Sequence, residues 1–142
     1  MPIQLNHTIV AARDKDKSAV FLSEILGLPP PVRLGHFAVV QVGETSLDFV
    51  DSDGDIAQQH YAFLVSETEF DRIFERIEGR SIRYWADPFR SEPGRINGWD
   101  DGRGLYFDDP DGHLLEIITR PYGSGGTSAS QPNPLIAPSI ES

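Results

Sequence analysis

Two histidines and two carboxylates at repeated positions are the side chains in this sequence best suited to metal chemistry. His7 and His60 each follow a polar residue and begin a short apolar segment that precedes a helical pattern. Asp48 and Glu116 each lie between two apolar residues near the end of the corresponding repeat. Imidazole and carboxylate groups are common ligands of divalent transition metals. The repeat therefore places a possible ligand at equivalent positions in both halves of the chain.

The alternation of side chains along a strand predicts that these four residues share one surface. Successive side chains point to opposite faces of a sheet, and the apolar residues next to His60 and Glu116 suit packing under helices. His7, His60 and Glu116 are then left on the concave face, where Asp48 joins them. Two imidazoles and a carboxylate on one face form a divalent-metal site with open positions for substrate. In the alternative interpretation, each polar group only satisfies a local hydrogen bond.

The composition excludes several other kinds of chemistry. The chain has 142 residues, of which 39% are hydrophobic, and it lacks cysteine, which excludes disulfides, thiolate nucleophiles and cysteine-based metal sites. Its 22 acidic and 12 basic residues give a formal net charge of -10, which argues against binding to nucleic acid or to an anionic membrane. No apolar run is long enough to span a bilayer, and the N-terminal residues lack the features of a signal peptide. We therefore expect a cytoplasmic protein.

Two helices and seven strands are predicted to position the candidate ligands. The first helix, 15–28, begins after Asp14 as its N-cap. The second helix begins at Ser66 with Glu69 three residues later, which is a capping-box pattern. Short apolar segments, several of them alternating, predict the strands. These are 4–12, 36–42, 45–50, 60–65, 82–85, 104–107 and 114–119.

The order of these elements predicts an α+β fold made of two similar modules. A strand, a helix and two or three strands follow one another twice, first over about 4–55 and then over about 58–121. Each half is too small for an independent hydrophobic core, so 1–122 is predicted to be a single domain. The Gly-, Ser- and Pro-rich residues 123–142 are predicted to form a flexible C-terminal tail.

A long loop rich in Pro and Gly, 86–103, is predicted to determine the choice of substrate. Arginines in so acidic a protein, with tryptophans nearby, suit an anionic, planar or carbonyl-bearing ligand. The predicted substrate-binding residues are Trp85, Arg90, Arg95, Trp99 and Arg103. In the alternative interpretation, the arginines pair with nearby carboxylates, namely those of Asp87, Glu92, Asp100 and Asp101. Tyr106 is expected to point into the site and to donate a hydrogen bond to a bound oxygen.

Four segments of the sequence resemble a known family. They are 5–7 (Leu-Asn-His), 21–28 (Phe-Leu-Ser-Glu-Ile-Leu-Gly-Leu), 59–62 (Gln-His-Tyr-Ala) and 106–116 (Tyr-Phe-Asp-Asp-Pro-Asp-Gly-His-Leu-Leu-Glu). Over about 4–120 the chain is similar to the vicinal oxygen chelate superfamily, which includes glyoxalases, bleomycin-resistance proteins and extradiol dioxygenases. The resemblance implies two βαβββ modules whose curved mixed sheet forms a cup around a metal ion.

The resemblance also implies roles for individual residues. Metal-dependent members have their ligands at the positions of His7, His60 and Glu116, which would here hold Fe²⁺, Mn²⁺, Zn²⁺ or Ni²⁺. Asp48 occupies the position of a fourth ligand, a glutamate, in glyoxalase I relatives. Because aspartate is one methylene shorter, the open alternatives are weak coordination, action through a water molecule, or service as a base. Asp48 or Tyr106 would then move the proton.

The implied function is that of a metal-dependent enzyme whose small organic substrate chelates the ion through adjacent oxygen atoms. Reaction by a lyase, a dioxygenase or a transferase would fit, and the rival function is metal-independent sequestration of an aromatic drug or natural product. The resemblance suggests a homodimer, in which His7 could meet His60 of the partner subunit and the partner's Glu116. The other histidines, His36 and His113, are predicted to lie outside the ligand set.

Overall fold

The computed structural model describes residues 2–136 of the chain. Within them, two helices and eight strands follow one another in the order β1 (His7–Ala12), α1 (Lys15–Leu26), β2 (Val32–Leu34), β3 (Phe37–Val42), β4 (Thr45–Asp51), β5 (His60–Leu64), α2 (Glu67–Gly79), β6 (Tyr84–Trp85), β7 (Gly104–Asp108) and β8 (Leu114–Ile118). A single 3₁₀ turn, Trp99–Asp101, precedes β7. Neither helix in this part of the chain has the length and apolar character needed to cross a membrane.

The first compact unit contains residues 2–59 together with Asp109–His113. Its strands form a four-stranded mixed sheet in the order β1-β4-β3-β2. β1 runs parallel to β4, and the other neighbouring strands are antiparallel. α1 contacts β1, β3 and β4, and it buries Leu22 and Ile25. The order of elements in this unit is βαβββ.

The second compact unit contains His60–Asp108 and, among the described residues that follow, 114–136. Its sheet has the order β5-β8-β7-β6, with β5 parallel to β8 and the remaining pairs antiparallel. The apolar stripe of α2 buries Phe70, Ile73 and Ile77. This unit repeats the βαβββ order, so the predicted α+β fold of two such modules is confirmed.

The helix ends follow from local sequence signals. Asp14 caps α1 through its side chain, and Gly27 ends it in a left-handed conformation with φ of 72°, which glycine adopts without steric cost. α1 therefore ends at Leu26, two residues before the predicted end. In α2 the side chain of Ser66 accepts from the backbone of Glu69 and the Glu69 side chain accepts from the backbone of Ser66, which completes the predicted capping box.

The strand β2 was not predicted from the sequence. Its three residues, Val32–Leu34, are all exposed, so their side chains do not alternate between buried and exposed positions. They also follow three consecutive prolines, which favour a turn over a strand. The segment forms a strand because it pairs with β3, and not because of a pattern in its own sequence.

Residues 123–136, the described part of the predicted flexible tail, form hydrogen bonds with earlier residues of the chain. The carboxylates of Asp100 and Asp101 each accept hydrogen bonds from two backbone amides of this stretch. These acceptors lie more than twenty residues earlier in the chain, so a reading of local composition could not find them. The rest of the predicted tail, 137–142, lies outside the described residues.

Candidate metal centre

His60 and Glu116 lie side by side on the sheet of the second unit. The register of the parallel strands β5 and β8 places His60 opposite Leu114. Glu116 is two residues further along β8, and alternation returns its side chain to the same face. Nε2 of His60 and Oε1 of Glu116 are 3.2 Å apart. The sheet therefore brings together two of the three predicted metal ligands.

The hydrogen bonding of His60 directs one ring nitrogen to a cation. Its Nδ1 lies 3.0 Å from the carbonyl oxygen of Leu114, and because a carbonyl oxygen only accepts, Nδ1 carries a proton. The hydrogen bond with Glu116 is the main cause that raises the pKa of His60, against the opposing effect of burial. In the neutral ring, the lone pair of Nε2 faces the carboxylate. An imidazole nitrogen and a carboxylate that converge in this way fit a divalent metal ion.

Aromatic rings surround this pair of ligands. Tyr106 lies opposite Glu116 in the register of β7 and β8 and stacks on the ring of His60 with 5.9 Å between centroids. Trp99 contacts the rings of Tyr106 and Tyr122 edge-on. Burial is the main cause that raises the pKa of both tyrosines, so both hydroxyls remain protonated donors near neutral pH. The surroundings of the ligand pair are therefore largely aromatic.

The carboxylate of Glu116 is fully buried and hydrogen-bonded by a tyrosine that the sequence reading missed. The hydroxyl of Tyr122 lies 2.8 Å from Oε1 and 2.6 Å from Oε2 of Glu116. Tyr122 follows the last strand and is the final residue of the predicted domain 1–122, directly before the composition changes to Gly and Ser. Its only sequence signal is an aromatic residue six positions after a candidate ligand.

His7 and Asp48 lie on the sheet of the first unit. His7 is opposite Ser46 in the register of β1 and β4, and the Ser46 hydroxyl donates to the Asp48 carboxylate at 2.7 Å. Nδ1 of His7 donates to the side-chain oxygen of Asn6 at 2.6 Å, which leaves the lone pair on Nε2. These side chains line a cleft of about 450 Å³. His7 thus has a ring nitrogen suited to a metal ion, as His60 does.

Among residues 2–136, no three side chains of His, Asp or Glu lie close enough to hold a metal ion together. The structure brings His60 next to Glu116 and places His7 in the other unit, on the same sheet as Asp48. The combination of the three predicted ligands in one metal site therefore stays a prediction.

Trp85 and Arg90, two of the predicted substrate-binding residues, pack on each other. Trp85 is only 4% exposed, and the guanidinium of Arg90 lies 5.5 Å from its ring centroid. Arg90 also forms an ion pair with Asp108. Their contacts within the second unit stabilise the chain that follows β6.

Arg103, another predicted substrate contact, is paired with α2. Its guanidinium lies 2.7 Å from a carboxylate oxygen of Glu67 and 2.9 Å from one of Asp71. The alternative drawn from the sequence considered only carboxylates near the arginines in the chain, whereas the actual partners are more than thirty residues away. Arg95 is exposed and stays a predicted substrate contact.

The carboxylate of Asp87 closes the loop that follows β6. It is buried and accepts hydrogen bonds from the backbone amides of Ser91 and Glu92 and from the Ser91 hydroxyl. Burial raises the pKa of Asp87, but these hydrogen bonds outweigh it, and the pKa is lowered overall. We expect Asp87→Ala to decrease the free energy of unfolding at pH 7 by about 2 kcal/mol, because the hydrogen bonds of a buried, ionised acceptor are lost.

The effect of Asp87→Ala is expected to depend on pH. Because the pKa of Asp87 is lower in the folded than in the unfolded protein, the ionised carboxylate stabilises the fold above about pH 4, the usual pKa of aspartate. That contribution disappears as the pH falls through the lower pKa of the folded state. Urea unfolding from pH 7 down to pH 2.5 measures it, with the exposed Asp53→Ala as control. A destabilisation of equal size at every pH would contradict the prediction.

The remaining two histidines have different environments. His113 is buried, with 1% of its surface exposed. Its Nδ1 accepts from the backbone amide of Gln59 at 2.9 Å, and its Nε2 donates to the carbonyl oxygen of Ala11 at 2.8 Å. His36 is exposed and precedes β3. His113 is therefore a structural residue of the first unit, since both ring nitrogens bind the backbone.

The chain is similar to known enzymes over most of its length. It is 31% identical to glutathione transferase FosA of Serratia marcescens over 120 residues, which covers 80% of this chain and 78% of the relative. It is 28% identical to the fosfomycin resistance protein FosX of Listeria monocytogenes over 122 residues, 80% of this chain and 86% of the relative.

Two solved structures have higher identity. Those of oxidase ChaP-H1 and oxidase ChaP-H2 are 57% and 59% identical to this chain, with TM-scores of 0.84 and 0.86. The matches cover 86% and 89% of this chain and 99% and 100% of the solved chains. Residues 4–117 match the family model of the Glyoxalase/Bleomycin resistance protein/Dioxygenase superfamily. The chain therefore belongs to this superfamily.

Proposed function

We propose that the chain is a divalent-metal-dependent enzyme that oxidises a small oxygenated aromatic substrate, with dioxygen as the electron acceptor. His60, Glu116 and His7 would hold the ion. The observation that carries the metal site is the fully buried carboxylate of Glu116, which faces Nε2 of His60 at 3.2 Å. A buried carboxylate is costly unless a cation or hydrogen bonds compensate its charge.

Oxidation is the reaction class that the similarities favour. The two oxidases are 57% and 59% identical to this chain over nearly their whole length, whereas the glutathione transferase is 31% identical. The aromatic residues near the ligand pair support the same choice, because the partly exposed ring of Trp99, which packs edge-on against Tyr106, offers a surface to a planar substrate. A phosphonate substrate such as fosfomycin would need cationic side chains around it. The guanidinium groups of Arg90 and Arg103 already pair with carboxylates.

Each proposed site residue has a defined task. The bound ion would act as a Lewis acid toward two adjacent substrate oxygens. The ring of Trp99 would orient the substrate, and the fully buried Tyr106 would hold Trp99 and His60 in place. Asp48, which is 8% exposed and accepts a hydrogen bond from Ser46, would accept the substrate proton. Arg95 is the arginine that we propose as a contact for an anionic substituent.

Metal reconstitution followed by oxygen uptake tests this function. The apoprotein would be loaded separately with Fe²⁺, Mn²⁺, Zn²⁺ and Ni²⁺, and bound metal would be measured by elemental analysis. Oxygen uptake with catechol and 3,4-dihydroxybenzoate would then be compared with His60→Ala under the same loading. We expect metal-dependent uptake that His60→Ala abolishes. Binding of less than about a tenth of an equivalent of every metal would overturn the metal site, and equal uptake by the variant would overturn the oxidase assignment.

Transfer of a thiol is the second candidate reaction, favoured by the identity to the glutathione transferase of Serratia marcescens. Incubation of the Mn²⁺-loaded protein with glutathione and fosfomycin tests it. Mass spectrometry would detect an adduct that contains all atoms of both reactants. Adduct formation without oxygen uptake in the catechol assay would replace oxidation by transfer. Sequestration of an aromatic drug is not favoured, because the similar proteins are named as enzymes or as a fosfomycin resistance protein.

We also propose a homodimer, and a mixing experiment tests whether its two copies share a metal site. His7→Ala and Glu116→Ala chains would be unfolded together, refolded and titrated with Zn²⁺. A site built from two copies would regain binding in the mixed dimer, because one of its two sites keeps all three ligands. If neither the separate variants nor the mixture binds metal, the ligands of each site belong to a single chain.

A further inference from the structure

The hydroxyl of Tyr122 lies against the carboxylate that we propose as a metal ligand. Its oxygen is 2.8 Å from Oε1 and 2.6 Å from Oε2 of Glu116, and 2.6 Å from the hydroxyl of Tyr106. An ionised carboxylate only accepts hydrogen bonds. Tyr122 therefore donates to Glu116, and Tyr106 donates to the oxygen of Tyr122. The three side chains form a directed hydrogen-bond chain that ends on the carboxylate.

The two oxygens of Glu116 differ in their surroundings. Oε1 faces Nε2 of His60 at 3.2 Å, whereas Oε2 makes the shorter of the two contacts with Tyr122. Hydrogen bonds from surrounding groups orient metal-ligating carboxylates, and their loss commonly lowers the affinity for the metal ion. A donor on Oε2 leaves Oε1 for the ion and fixes the rotation of the carboxylate.

The segment after β8 holds the ring of Tyr122 in place. Trp99 contacts this ring edge-on, with 6.5 Å between centroids. The buried carboxylate of Asp100 accepts from the backbone amides of Gly123 and Gly125, directly after Tyr122. At Gly125 the backbone passes so close to Asp100 that an added Cβ would lie 3.2 Å from the Asp100 Cα. The phenol is therefore fixed from its ring and from the backbone that follows it.

We propose that Tyr122 is a positioning residue for the metal site, which acts through Glu116 to set the orientation of the carboxylate. This inference rests on the proposed metal-dependent function and deepens it. Tyr122 lies beyond the part of the chain that matches the family model, which ends at residue 117. The segment after the last strand thus adds a specific element to the ligand pair of the second unit.

The substitution Tyr122→Phe tests the proposal, because it removes one hydroxyl and keeps the ring against Trp99. We expect the Kd for Mn²⁺ and for Zn²⁺, measured by chelator competition, to rise roughly 10- to 100-fold. The electron paramagnetic resonance spectrum of bound Mn²⁺ should change with it. Tyr84→Phe is the matched control, since Tyr84 packs against Phe74 in the same unit, and its Kd should stay within about twofold of wild type.

A second variant, Asp100→Asn, tests the anchoring of Tyr122. Asp100 has a left-handed φ of 58°, which asparagine also tolerates, so the backbone need not change. A weaker acceptor for the two glycine amides should raise the Kd for Mn²⁺, but less than Tyr122→Phe does.

Three results would overturn the proposal. The first is a Kd of Tyr122→Phe within twofold of wild type with an unchanged Mn²⁺ spectrum. The second is an equal loss in Tyr84→Phe, which would indicate a general structural effect. The third is wild-type protein that binds neither metal, which would overturn the proposed function as well. Because wild-type binding is measured before any variant, these failures are distinguishable.

Discussion

Glu116→Gln is expected to weaken the binding of a divalent metal ion by roughly 1,000-fold or more, about 4 kcal/mol of binding free energy. Loss of a hydrogen-bond partner of a metal ligand already costs 10- to 100-fold, and this substitution removes the charge of a ligand itself. Glu116 has no exposed surface, so solvent does not screen its charge. Oxygen uptake or thiol transfer should fall to background with the metal.

The fold should tolerate this change. Glutamine has the size of glutamate, its amide oxygen can accept from Tyr122, and its amide nitrogen can donate to the lone pair of His60 Nε2. Removal of the buried negative charge also relieves a desolvation cost in the metal-free protein. We therefore expect a Tm equal to or above that of metal-free wild type, measured by circular dichroism.

Two further variants make the measurement specific. Glu75→Gln, an exposed position in α2, should leave the Kd for Zn²⁺ and for Mn²⁺ unchanged. Asp48→Asn tests the fourth-ligand alternative, because a direct ligand would lose affinity on the scale of Glu116→Gln, whereas a base would lose turnover with little change in Kd. Isothermal titration of metal into apoprotein measures the Kd of all three variants. A Glu116→Gln protein that binds metal as wild type does would remove Glu116 from the ligand set.

The pairing of His60 with Glu116 could be predicted from the sequence, because it follows from the alternation of side chains along a strand and from the repeat of the module. Side chains alternate along each strand, and the second βαβββ module makes β5 and β8 neighbours. Both residues then lie on one face in any register that keeps their apolar neighbours packed. The same reasoning placed His7 and Asp48 on one face of the first sheet, since they too lie in a parallel pair of strands.

Contacts between residues distant in the chain could not be predicted from the sequence. Arg103 pairs with Glu67 in α2, while the sequence offered several nearer carboxylates, and no periodic pattern distinguishes among them. Tyr122 reaches Glu116 because Asp100 binds the backbone that follows it. That interaction joins the 3₁₀ turn to a segment without regular structure, whose composition indicates only a Gly- and Ser-rich stretch. Local patterns therefore predicted the strands and ligand faces but not the groups that hold the ligands.

His113→Ala is expected to cause the largest loss of stability among the substitutions considered, about 3 to 4 kcal/mol. The imidazole is 1% exposed and bonds two backbone groups, the amide of Gln59 and the carbonyl of Ala11. Alanine leaves both groups without this partner, and each unsatisfied buried group costs about 1 to 3 kcal/mol. The space vacated by the ring adds a cavity cost. Urea unfolding followed by circular dichroism measures the loss, because both tryptophans lie in the second unit and fluorescence would report that unit alone.

His113→Gln separates the hydrogen bonds from the volume of the ring. Its amide nitrogen can reach the position of Nε2 and donate to Ala11, so it should recover roughly half of the loss. His36→Ala removes an exposed imidazole from the same unit and should change the free energy of unfolding by no more than about 0.5 kcal/mol. A loss below about 1 kcal/mol for His113→Ala would mean that water replaces the imidazole at both backbone groups. An equal loss for His36→Ala would mean that the effect is not specific to His113. The free energy of unfolding is expected to rise from His113→Ala to His113→Gln to wild type. This order follows only if His113 stabilises the first unit through its two directed hydrogen bonds.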